Sequence, residues 1–206
     1  MSVFSFGATG SGKTHAMEGS KTDPGLVSLI SDNIFNVLED KRYRQHGGAD
    51  GNQSNYSFSI KIRYVEIVDE EIHDLLQPTG AYGHHTLNVV TNEWEGPTVN
   101  GVAWVPMTNQ HQLADYFVSG SKNRTTRSNE FGKLSDKATA MFSIEITQIT
   151  ENVGTGETSV LVSKLHMIDM PGCEILTEDP ESLRVKEGST LNKAIIALNT
   201  LMKDLS

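Results

Sequence analysis

Cysteine is almost absent from this 206-residue chain: Cys173 stands alone, so no internal disulfide can form, which agrees with a reducing compartment. No apolar run approaches the roughly 20 residues needed by a bilayer-spanning helix. The residues after Met1 lack the basic start and small-residue cleavage site of a secretory signal. Together these absences predict a cytosolic or nuclear protein with no membrane association. Positive charge is also in deficit, with 17 Lys and Arg against 26 Asp and Glu and a net charge of −9. Such a balance argues against non-specific nucleic-acid binding, whose affinity comes from cations displacing counterions from phosphates. It also opposes docking on any strongly acidic partner. Internal repeats, low-complexity tracts, linkers and sustained heptads are missing too. What remains, 37% hydrophobic and 21% charged residues, suits one soluble α/β domain with a single core.

The most informative stretch is Gly7-Ala8-Thr9-Gly10-Ser11-Gly12-Lys13-Thr14, which fits the phosphate-loop pattern G-x-x-x-x-G-K-[ST] at every fixed position. Its glycines let the backbone fold close around a phosphate with successive N–H groups turned inward. Lys13 is then placed to neutralise β- and γ-phosphates and the Thr14 hydroxyl to ligate Mg²⁺. An apolar run, Val3 to Phe6, precedes the loop as a strand, and His15-Ala16-Met17 continues it as a helix.

Downstream, Asp23-Pro24 reads as a helix start, with Asp as N-cap and Pro at the first helical position. Leu26, Leu29, Ile30, Ile34, Val37 and Leu38 follow as a helical stripe. Lys41, Arg42 and Arg44 read as cations at that helix's end. Phe58, Ile60, Ile62 and Tyr64 alternate with Ser59, Lys61 and Arg63, the signature of a strand with one wet face. Glu71 to Leu76 reads as a short helix, His84 and His85 as solvated loop histidines without a metal, and Trp94 to Val105 as short strands and turns. Gln110 to Gly120 reads as a helix. Thr139–Ile149 and Val160–Met170 form an antiparallel hairpin around Gly154 and Gly156. The second hairpin strand ends in Asp169-Met170-Pro171-Gly172, an acid at the strand edge where open α/β sheets collect ligands.

Five ordered segments resemble the kinesin motor domain family. Phe6 to Gly19 is similar to its phosphate loop and continuation, with Ala8 where Gln is usual. Tyr64-Val65-Glu66-Ile67 with Ile72-His73-Asp74-Leu75-Leu76 resembles Y-x-E-I followed by D-L-L. Gly120-Ser121-Lys122-Asn123-Arg124-Thr125 resembles the approach to the first switch. Asp169 to Glu174 resembles the second switch, usually D-L-A-G-S-E, and Leu191 to Leu198 resembles N-K-S-L-x-A-L on the helix laid against the microtubule. The resemblance implies one partial motor domain over residues 1–206 with a P-loop NTPase fold, a central mixed β-sheet flanked by helices and incomplete at both ends. Its phosphate loop is 7–14, its first switch 132–139, its second switch 169–174 and its microtubule-facing helix about 183–205.

ATP and Mg²⁺ are the implied ligands and tubulin the implied partner, in the cytoplasmic microtubule cytoskeleton, with the ciliary axoneme as one conceivable home. Gly7 to Thr14 and His15 would bind nucleotide. Thr14, Asp136 and Asp169 would serve the metal, and Ser135, Asp136, Lys137, Asp169, Gly172 and Glu174 the reaction.

The chain departs from the family at the first switch, where N-x-x-S-S-R-S-H is replaced by Gly132-Lys133-Leu134-Ser135-Asp136-Lys137-Ala138-Thr139. Asp136, at about 4 Å from a phosphate oxygen in a medium of effective dielectric near 20, would be repelled by ~4 kcal/mol. As a direct ligand of Mg²⁺ it would instead attract. Lys137 can pair with Glu174, but without the two-pronged geometry of Arg. Acidic Glu178, Asp179 and Glu181 stand where family members meet acidic tubulin with basic residues, while Arg184, Lys186 and Lys193 remain. The family's N-terminal strand and C-terminal neck find no counterpart, so this stretch alone is not expected to step. Three readings stay open: an ATP-driven microtubule motor, an inactive microtubule-associated relative, and another P-loop NTPase such as a GTPase. No N-K-x-D guanine-reading motif accompanies the last, and the sequence does not decide whether ATP is hydrolysed.

Overall fold

A computed structural model describes residues 1–8, 10–46, 54–68, 70–77, 87–93, 96–102, 104–130, 138–172 and 196–204. Eleven elements run in the order β1 (Ser2–Ser5), α1 (Lys13–Glu18), α2 (Leu26–His46), β2 (Ser54–Val68), β3 (Glu71–Asp74), β4 (Asn88–Asn92), β5 (Gly96–Asn100), β6 (Val105–Met107), α3 (Gln110–Glu130), β7 (Thr139–Asn152) and β8 (Thr158–Asp169). Residues 196–204 are helical as well, within the span expected for the final helix, whose remaining residues lie outside the described set.

The main sheet has the order β1-β8-β7-β2-β3, with β6 on the free side of β2 at Ile60 to Ile62. β1 pairs with β8 in parallel and β7 pairs antiparallel with both β8 and β2, which makes the sheet mixed. Consequently β1, β2 and β8 all point the same way, and their C-terminal ends share one edge. β4 and β5 form a separate two-stranded sheet.

Period-two alternation decides which side chains meet the helices. Ile60, Ile62 and Tyr64 of β2, Phe142 and Ile144 of β7 and Met167 of β8 turn to one face, where Val27, Phe35 and Leu38 of α2 and Leu113 and Phe117 of α3 cover them. At its centre Tyr64, Phe117 and Phe142 pack with ring centroids 5.1–5.4 Å apart, two of the pairs edge-on.

The opposite face is less wet than alternation suggests. Arg63 is buried there, with its guanidinium 4.7 Å from the Trp104 ring and donating to Thr98 Oγ1 at 3.2 Å. Nearby, Ser143 Oγ and His166 Nδ1 are 2.9 Å apart. Burial, then the charges of Arg63, the terminal ammonium and Lys164, push the His166 pKa down.

Three local expectations are corrected. Glu71 to Leu76 is not a helix: Glu71–Asp74 pairs antiparallel with Val65–Val68 through a turn in which Glu70 takes φ 70°. Sheet-edge hydrogen bonding there outweighs weak local helix propensity, and Leu75 N–H continues the ladder to the Tyr64 carbonyl at 2.9 Å. Asp23 and Pro24 do not open α2. Pro24 bridges to Gly19, and the Gly25 carbonyl accepts the first helical bond from Leu29 N–H.

The stripe on α2 is also rotated, since Val27, Ser31, Phe35 and Leu38 are buried while Leu29 and Val37 are 54% and 58% exposed. Both border an open groove of about 450 Å³ along α2, away from the phosphate loop. Lys41 reaches Gln148 Oε1 at 2.8 Å and lies over Tyr56, while Arg42 and Arg44 pair with Glu39 and Asp40 of their own helix, as expected of helix-end cations.

The turn between α1 and α2 depends on two glycines in contact. A Cβ on Gly25 would collide with backbone atoms of Met17, Glu18 and Gly19, and Gly19 itself has φ 74°. Gly25→Ala is therefore expected to destabilise the fold by about 1–3 kcal/mol, a loss of several degrees in Tm by calorimetry. For His166, a folded pKa below the unfolded value means that the unfolded chain takes up the proton first. Stability is then present above the unfolded pKa of 6.5 and lost as pH falls below it. Tm should drop between about pH 7.5 and about pH 5.5, and His166→Asn should flatten that slope.

Candidate functional site

The phosphate loop joins β1 to α1 at the shared C-terminal edge. Gly10 and Gly12 take φ 79° and 88°, left-handed values that favour glycine. Ser11 N–H closes a turn on the Ala8 carbonyl at 3.1 Å, and α1 begins with Ala16 N–H donating to the Gly12 carbonyl at 2.8 Å. Gly12 supplies no side-chain cap, so the first-turn amides of α1 have no competing side-chain acceptor of that kind. Lys13 Nζ folds back on the Ala8 carbonyl at 2.7 Å, holding its charge over the loop. His15 Nε2 lies 3.3 Å from Asp23 Oδ2 at the surface.

Across the edge, Asp169 ends β8 and is buried, with three donors on its carboxylate. Ser5 Oγ donates to Oδ1 at 2.6 Å, and Thr14 Oγ1 and Arg124 Nη1 both donate to Oδ2 at 2.8 Å. Ser5 comes from β1, Thr14 from α1 and Arg124 from α3. The register Ser5↔Asp169 in the parallel pair fixes the first of these contacts. Arg124 also donates through Nη2 to the Ala138 carbonyl at 3.3 Å, just before β7, and its Nε lies 3.4 Å from Glu66 Oε1 of β2. Burial alone disfavours the guanidinium charge. The hydrogen bond and charge of Asp169, with smaller contributions from Tyr64 and Glu66, outweigh that and raise the Arg124 pKa. Burial pushes the Tyr64 hydroxyl up to about 12.

This geometry brings together Gly7, Ala8, Gly10, Ser11, Gly12, Lys13, Thr14 and Asp169, with Gly172 three residues on. Thr9, Ser135, Asp136, Lys137 and Glu174 lie outside the described residues, as do residues 132–137 of the expected first switch. Ser5 and Arg124 gain roles in the site that sequence reasoning did not assign, and Glu66 stands behind Arg124. Glu66 and Arg124 stand inside segments that resemble the family, yet nothing local pointed to Arg124 reaching both Glu66 and Asp169.

Do these residues suit a phosphate and its metal? A glycine loop with left-handed turns, an ammonium above it and a hydroxyl 2.8 Å from a carboxylate supply anion-binding and hard-oxygen donors together. The donor chemistry fits Mg²⁺ with a nucleotide phosphate. No group of three His, Cys, Asp or Glu residues suited to a metal exists among the described residues, so protein ligands alone do not form a dedicated cage there.

A glycine phosphate loop and a strand-end aspartate on a mixed sheet define a P-loop α/β domain. The kinesin motor domain family matches residues 1–206, and the chain belongs to that family. Among curated relatives, it is 32% identical over 206 residues to "Kinesin-like protein KIN-7D, mitochondrial" of Arabidopsis thaliana, covering 99% of this chain and 18% of the relative. It is 30% identical over 206 residues to "Kinesin-like protein KIF18B" of Homo sapiens, covering 100% and 22%.

Two solved structures share the fold. One is described as a fast kinesin, with TM-score 0.73, 24% identity and coverage of 93% of this chain and 50% of that chain. The other is a KIF14 dimer with AMP-PNP in complex with a microtubule, with TM-score 0.75, 25% identity and coverage of 96% and 52%. The chain thus spans about a fifth of these curated relatives and about half of these solved chains.

Asp169→Asn keeps the shape but weakens the acceptor for three donors and leaves Arg124 short of a charge partner. It is expected to cost about 3 kcal/mol in urea unfolding. Lys13→Ala removes only a partly exposed contact and should change stability by less than about 0.5 kcal/mol.

Proposed function

We propose that this chain is the nucleotide-binding part of a kinesin-like motor that binds ATP with Mg²⁺ and couples its hydrolysis to microtubule attachment. The observation that carries the reading is the 2.8 Å contact between Thr14 and Asp169, which joins the phosphate loop to the second-switch strand in a chain of this family. Lys13 offsets phosphate charge, and the loop amides from Gly7 to Thr14 orient the polyphosphate. Thr14 and Asp169 would hold the metal. When bound, Mg²⁺ would neutralise and orient the terminal phosphates. Gly172 offers its N–H to the terminal phosphate, and Ser135, Asp136, Lys137 and Glu174 form the switch contacts. His15 would contact the nucleotide from α1.

Because Asp169 is held by α3 and β1 as well as by α1, a change at Thr14 reaches all three elements. The surface we assign to tubulin is the final helix, of which residues 196–204 are described. The acidic balance of the chain argues against nucleic acid as a partner, and no helix among the described residues is long and apolar enough to cross a membrane. The cellular site is the cytoplasmic microtubule cytoskeleton, with the ciliary axoneme tested by imaging the tagged protein.

A second reading follows from Asp136 and Lys137, which replace the family's Ser and Arg: nucleotide is held but turned over slowly, and the protein acts as a microtubule-associated structural component. Phosphate release measured with and without microtubules separates the two. The motor reading predicts stimulation by at least about tenfold, lost in Lys13→Ala while folding is kept. Retained microtubule pelleting without turnover supports the structural reading, and absence of both overturns the assignment to microtubules.

A further inference from the structure

Glu66 belongs to the Tyr64–Ile67 stretch, but the mechanism above gives it no task. It is 2% exposed, which is costly for a carboxylate. Its Oε1 lies 3.4 Å from Arg124 Nε, and Arg124 Nη1 donates to Asp169 Oδ2 at 2.8 Å. One guanidinium therefore faces two buried carboxylates from different strands. The other donors to Asp169, Ser5 and Thr14, are neutral hydroxyls. Glu18 adds a third negative charge near enough to act on the Tyr64 hydroxyl. Buried ion pairs are weak contributors to stability, so stability alone is a poor reason for a second buried acid.

Charge accounting gives a better one. With Asp169 as its sole partner, Arg124 would cancel that carboxylate and repel a cation arriving beside Thr14. With Glu66 also facing the guanidinium, the two carboxylates and one cation sum to a net negative charge, and Asp169 keeps a negative field toward the phosphate loop.

We infer that Glu66 is a positioning residue acting through Arg124: by balancing that guanidinium it leaves Asp169 free to take a divalent cation beside Thr14. The inference rests on the reading that Mg²⁺ and a nucleotide occupy this site. Glu66 itself does not touch the cation.

The test is a fluorescent ATP analogue titrated with Mg²⁺, and separately in excess EDTA, on the full chain and on Glu66→Gln, Arg124→Gln and the double variant. Glu66→Gln should raise the Mg²⁺ concentration for half-saturation by about tenfold, the effect of one charge at this depth. Binding in EDTA should be unchanged. The double variant, with both charges removed, should return to within about threefold of the parent chain.

A merely structural role predicts a double variant at least as impaired as Glu66→Gln, and that result overturns the inference, as do identical Mg²⁺ curves for the parent and Glu66→Gln. If Glu66→Gln does not fold, Glu66→Asp, which withdraws the charge by one methylene, must still shift the curve in the same direction. Failure of the parent chain to bind the analogue under any condition overturns the nucleotide reading together with this inference.

Discussion

The carboxylate of Asp169 is the junction on which the site depends. An ionised acid in a dry interior is tolerated only when its oxygens are satisfied, and here β1, α1 and α3 each send one donor. The demand runs both ways. Asp169 fixes the Thr14 end of the phosphate loop, the Ser5 end of β1 and the orientation of Arg124. Arg124 in turn ties the approach to β7, through the Ala138 carbonyl, to β2 through Glu66. Any ligand that engages Thr14 or Asp169 must therefore redistribute bonds among four elements.

Sheet topology makes this junction possible. Parallel pairing of β1 with β8 places Ser5 beside Asp169, and the antiparallel steps through β7 bring the end of β2, with Glu66, to the same edge. The aromatic cluster of Tyr64, Phe117 and Phe142 lies just behind it and holds α3 at the height from which Arg124 reaches the edge. Gly120 belongs to this packing, since a Cβ there would run into the Tyr64 ring.

Some of this was legible in the chain. The phosphate loop could be read because its backbone must take conformations that glycine alone adopts easily, and the β7–β8 hairpin because alternation survives in long strands. Residues Glu71–Asp74 misled because a four-residue strand carries too little pattern to be told from a helical turn. The rotation of α2 was missed because Ser31 is buried, its hydroxyl satisfied by the Val27 carbonyl at 2.6 Å, while apolar Leu29 and Val37 face outward. Arg124 and Asp169 are 45 positions apart, and no local signal reports that their side chains will meet. Their contact is a product of topology, visible only once the strands are in order.

The kinesin motor domain family matches residues 1–206, and the function proposed for this chain requires the phosphate loop and the strand-end acid to respond together to one ligand. The most direct test of that coupling is hydrogen–deuterium exchange of the chain with Mg²⁺ and ATP, with ATP in EDTA, and without nucleotide. The account predicts slowed exchange at amides of residues 10–14 and 169–172 together when both metal and ATP are present, with the second segment responding little in EDTA. Protection absent from both segments, or confined to surfaces away from them, would contradict it.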